Sequence, residues 1–199
     1  MAKTKYIHLF ESEYWQKVKQ LADLGLGSDD VYRIEQWLDK RAKGAEVELG
    51  PAMEFDGLGL KTLPPGDWQS RGYATFTGSA LESLPDGFST GNSLFLKDMP
   101  NLKRLPDGLK VGEHLIIARC PELESLPNGL KVKNDLTVMD TPLRSLPGDM
   151  EVGSKITLID TFIPREEAKE LKRQREPLGK DGDVFFMGHE GPVEGPRTG

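Results

Sequence analysis

A leucine–proline pair returns along the chain at Leu63-Pro64, Leu84-Pro85, Leu105-Pro106, Leu126-Pro127 and Leu146-Pro147, at spacings of 21, 21, 21 and 20 residues. So short a period restricts the chain to a stacked-repeat architecture, because one unit alone cannot bury its own apolar side chains. Other columns keep the register. A leucine stands three residues before each pair, at Leu60, Leu81, Leu102, Leu123 and Leu143. A large apolar residue follows four residues after the pair's leucine, or five in the first unit: Trp68, Phe88, Leu109, Leu130 and Met150. Val111, Val132 and Val152 come two residues later in the last three units.

Upstream of each pair lies an alternation: Met53 and Phe55, Tyr73 and Thr75, Leu94 and Leu96, Leu115 and Ile117, Leu136 and Val138, Ile156 and Leu158. Period two predicts short strands with these side chains turned inward. A unit of about 21 residues is too short for a strand–helix–strand crossover, yet the strands must run the same way. A coil of one unit per turn with its strands stacked in parallel satisfies both demands. Proline has no amide donor and a fixed φ, so the Leu-Pro step suits an extended outer segment.

These columns resemble the bacterial and phage leucine-rich repeat of the Leu-Pro-x type over residues ~52 to ~163. The resemblance implies an α/β leucine-rich-repeat solenoid with a parallel β-sheet on its concave face. Its usual asparagine position reads Met99, Cys120, Thr141 and Thr161 here. Arg33-Ile34-Glu35-Gln36-Trp37-Leu38, followed by Gly57-Leu58-Gly59-Leu60, is similar to the helical cap of effectors that carry the repeat. Many of those effectors end in a ubiquitin-ligase domain, and residues 164–199 are too few to hold one.

The expected organisation is a helical N-terminal cap over residues 1–50, a solenoid of about five to six units over 51–163, a capping helix over 164–176 and a mobile tail over 177–199. Ile7, Phe10, Tyr14, Val18 and Leu21 recur at helical spacing, as do Val31, Ile34 and Leu38. Pro164 opens the C-terminal helix, with Glu166 and Glu167 in its first turn and Lys172 and Arg173 in its last, a polarity that suits the helix dipole. Lys169, Lys172, Arg173 and Arg175, interleaved with Glu166, Glu167, Glu170 and Glu176, read as a solvated face. In the tail, Val184-Phe185-Phe186-Met187 is an apolar run that either folds back onto the solenoid or serves as a docking peptide.

The formal charge of −6 argues against a protein that draws its affinity from phosphates. No apolar run approaches the ~18 residues of a membrane span, and the N-terminus has no secretory core. The single cysteine, Cys120, rules out an internal disulfide, and a cytoplasmic location is expected. His8, His114 and His189 form no metal-ligand spacing, and Asp181-Gly182-Asp183 lacks the other ligands of a calcium loop. With no histidine beside Cys120, no catalytic group, metal or cofactor is expected.

The expectation is therefore a binding protein, an adaptor or inhibitor, whose partner is another protein rather than nucleic acid or membrane. The strand residues turned away from the core supply the site: Phe76, Phe95, Ile116, Met139 and Ile159 as an apolar diagonal, flanked by Lys97, His114, Asp135 and Lys155. A structural component of a larger assembly such as a phage particle is the alternative, and an effector delivered into a host cell a third possibility.

Overall fold

The computed structural model describes residues 52–63, 68–175 and 184–188. The expected N-terminal cap, His8, His189 and most of the tail lie outside the described residues. The described chain is a parallel-strand β-solenoid of about five turns, with one helix after its last turn.

Each turn contributes to two sheets. The larger one stacks β1 (Met53–Glu54), β3 (Ala74–Thr75), β5 (Leu94–Lys97), β7 (Leu115–Ala118), β9 (Leu136–Met139), β11 (Ile156–Thr161) and β12 (Val184–Gly188) in that order, all parallel. The smaller one, absent from the sequence reading, stacks β2 (Gln69–Ser70), β4 (Ser89–Thr90), β6 (Lys110–Val111), β8 (Lys131–Val132) and β10 (Glu151–Val152). Its strands hold the valine column, whose side chains point inward and are buried. The repeat leucines, the large apolar column and the inward strand residues fill one continuous core between the sheets. Each such side chain, once buried, contributes about 1.5–3 kcal/mol.

The second turn departs from the sequence reading by one residue. Ala74 and Phe76 point inward, both fully buried, and Tyr73 and Thr75 face out. Because strand side chains alternate, a one-residue slip exchanges the two faces.

At or just past the end of each of the first six strands of the larger sheet the backbone enters the left-handed region once: Gly57, Gly78, Asp98, Arg119, Asp140 and Asp160 have φ of 67°, 69°, 53°, 53°, 48° and 50°. Glycine and aspartate tolerate this conformation. Arg119 is the bulky exception, and Asp98 of the preceding turn grips its guanidinium at 2.5 and 2.8 Å. The following residues (Leu58, Ser79, Met99, Cys120, Thr141 and Thr161) are all buried. Ser79 Oγ donates to Phe76 O at 2.7 Å and Thr141 Oγ1 to Met139 O at 2.9 Å, so these hydroxyls satisfy backbone carbonyls at the turn.

Backbone contact between turns sets a second constraint. A Cβ on Gly112 would lie 1.9 Å from the carbonyl oxygen of Gly91 in the turn before. Gly112→Ala is expected to force the coils apart locally and to lower the unfolding free energy by about 1–3 kcal/mol, readable in a urea titration.

Helix α1 (Arg165–Arg175) follows the last turn and lays Ala168 and Leu171 against the core. It corrects one expectation. Arg175 is buried rather than solvated, and donates from Nη1 to Val152 O at 2.9 Å and from Nη2 to Ser154 O. One turn earlier the equivalent carbonyls, Val132 O and Asn134 O, accept the amides of Gly153 and Ser154, each at 2.9 Å. The guanidinium thus stands where the next turn's amides would be. Glu167 does the complementary work, its carboxylate accepting the Leu146 amide at 2.6 Å.

Candidate functional site

The outward face of the larger sheet carries three columns of side chains. The first runs Tyr73, Ser93, His114, Asp135, Lys155. The second runs Glu54, Thr75, Phe95, Ile116, Thr137, Thr157, Phe185, and the third Lys97, Ala118, Met139, Ile159, Met187. Parallel pairing without slippage from β5 to β9 keeps these columns straight.

The first turns are polar. Tyr73 donates its hydroxyl to the Glu54 carboxylate, which raises the phenol's pKa above its ordinary value. Asp56 accepts Thr75 Oγ1 at 2.5 Å and the Thr77 amide at 2.6 Å. From β5 onward the face turns largely apolar along a diagonal, with Thr137 and Thr157 beside it in the second column and Lys97 at the head of the third. Phe95, Ile116, Met139 and Ile159 are half-buried, and Ala118 lies fully covered among its neighbours.

The Val184-Phe185-Phe186-Met187 run folds back onto the solenoid as β12, pairing Ile156 with Val184, Thr157 with Phe185, Leu158 with Phe186 and Ile159 with Met187. Val184 and Phe186 turn toward the core side, and Phe186 packs against it. Phe185 and Met187 face outward, 49% and 50% exposed, and extend the apolar strip by one strand. Seven strands at about 4.8 Å make the sheet roughly 29 Å wide.

Phe76 has no place on this face. It lies in the core with its ring centroid 5.8 Å from those of both Phe55 and Phe88. Its surface assignment is corrected, and Tyr73, Thr75 and Thr77, which the sequence reading missed, take the outward positions of that turn. The signal was present. Each large apolar residue precedes its first inward strand residue by six positions: Trp68 to Ala74, Phe88 to Leu94, Leu109 to Leu115.

The charged flank sits where expected. His114 Nδ1 lies 3.1 Å from Asp135 Oδ2. Asp135 Oδ1 accepts the Lys155 amide at 3.0 Å, and this bond, with those from Ser154 and His114, holds the carboxyl below its usual range. Lys97 Nζ stands 5.3 Å over the Phe95 ring, a cation–π contact that covers one face of the aromatic. Lys155 is exposed at the end of the first column.

Cys120 does not join this surface. Its sulfur is buried, 3.6 Å from the carbonyl oxygens of Leu96 and Ala118, and burial pushes the thiol up to about 11. A thiol so placed is a poor source of thiolate. Among the described residues, no group of three His, Cys, Asp or Glu side chains is placed to hold a metal ion, and no helix is long and apolar enough to cross a membrane. What the face offers is a broad apolar strip with hydrogen-bonded charges at its border. Comparison of the chain with protein-family models, curated proteins and solved structures finds no match.

Proposed function

We propose that this chain is a non-enzymatic binding module of the leucine-rich-repeat kind, an adaptor or inhibitor that seats a partner protein on the outward face of its larger sheet. The observation that carries the reading is the continuity of the apolar strip. Phe95, Ile116, Met139 and Ile159 run without a charged interruption into Phe185 and Met187. Contiguous apolar surface rimmed by polar groups is what protein interfaces bury at their centres, with aromatic anchors supplying most of the affinity.

The flank supports the same reading. Lys97, His114 and Asp135 are already engaged within the face, so they can orient a partner without large rearrangement. The double variant Phe95→Asp/Ile116→Asp tests the proposal, because both side chains lie outside the core and the fold should survive. Proteins captured by wild type should be lost, and the binding of a purified captured partner should weaken at least about tenfold. Unchanged capture and affinity, with both proteins folded by circular dichroism, would overturn it.

A further inference from the structure

The molecule closes its two sheets differently at the C-terminal end. Among the described residues the smaller sheet ends on β10, where Arg175 takes up the carbonyls of Val152 and Ser154. The larger sheet ends on β12, and among the described residues nothing pairs with the outer edge of that strand. By folding back, β12 covers β11 but moves the open edge one strand outward.

Within Val184–Gly188 that edge lacks the usual protections. Natural edge strands discourage pairing with lysine, proline, a bulge within the strand or very short length. Val184–Gly188 is five residues long, with no charge and no proline. Its register irregularity, between Ile159 and Thr161, lies on the β11 side. Coverage is incomplete on both of its faces. The inward residues of β9 and β11 are fully buried, whereas Val184 and Phe186 are only half-buried, and Phe185 and Met187 are about half exposed.

We infer that the outer edge of β12 is a self-association site, where a second copy of the chain adds its own β12 antiparallel about a two-fold axis. An open strand edge meets its own copy with matching donors and acceptors, the isologous arrangement that closes at two subunits. The chain carries a formal charge of −6, so two copies repel one another overall, but Val184–Gly188 brings no charge to the contact. Pairing would join the two larger sheets and place Phe185 and Met187 of both copies at the centre of one continuous apolar strip. The contact shares Phe185 and Met187 with the strip proposed above, but it rests on the strand edge, and its assay needs only the purified chain, so either reading can fail without the other.

Sedimentation equilibrium of the full chain across a concentration series reads the association directly. Wild type should fit a monomer–dimer equilibrium, and Phe185→Lys, which changes an outward side chain and leaves the core intact, should weaken it at least about tenfold. Hydrogen exchange on the unmodified chain gives a second reading: amides of residues 184–188 should exchange more slowly as concentration rises. A monomer at every concentration, a dimer equally strong in Phe185→Lys, or exchange at 184–188 independent of concentration would each overturn the inference.

Discussion

Arg175→Met is expected to lower the unfolding free energy by about 2–4 kcal/mol, since methionine keeps much of the side chain's apolar packing and removes the guanidinium. The arginine donates to two backbone carbonyls from a buried position, and hydrogen bonds from a charged donor are worth about 1.5–3 kcal/mol each. In a solenoid such bonds end somewhere, and among the described residues no further strand meets the carbonyls of Val152 and Ser154. Here the Gly153 and Ser154 amides serve Val132 and Asn134, and the guanidinium serves Val152 and Ser154. Arg175→Lys should fall between wild type and methionine, as a single ammonium cannot reproduce the planar fork. Urea titrations of the three proteins decide the matter. Equal midpoints would mean that water satisfies these carbonyls as well as the guanidinium does.

This role was not legible in the sequence. Arg175 stands in a run of alternating charges, and such a run ordinarily reads as a solvated helix face. Its burial follows from a tertiary circumstance, the open end of the smaller sheet, and that sheet was itself hard to foresee. Its strands are two residues long, so they carry no measurable alternation, and only the valines at 111, 132 and 152 marked their inner face. The larger sheet was legible from Leu94 onward because Leu94 and Leu96, Leu115 and Ile117, Leu136 and Val138 alternate without interruption. The flank of His114, Asp135 and Lys155 followed from that register. The tail's choice between docking peptide and return to the solenoid depended on the open edge of β11, which the sequence does not display.

Phe76→Ala should be the most damaging of the single substitutions considered, costing about 3–5 kcal/mol, whereas Tyr73→Ala two strand positions away from Thr75 should cost well under half as much. The slip at this turn has a definite origin. In later units the first inward strand residue follows the pair's leucine by ten positions, as Leu94 follows Leu84 and Leu115 follows Leu105. The same interval counted from Leu63 lands on Tyr73, but the first unit carries an extra residue before Trp68, and the strand begins to face inward at Ala74. Phe76 then joins the aromatic group that fills the first turns: its ring stands 5.8 Å from Phe55 and from Phe88, and Phe55 meets Trp68 edge-on at 6.0 Å. Alanine would leave a cavity among large, rigid rings that cannot collapse into it. Tyr73 loses only an exposed ring and its bond to Glu54. Thermal and denaturant unfolding of the two variants measure the register directly, and the opposite order of stabilities would put Tyr73 in the core and Phe76 on the outward face.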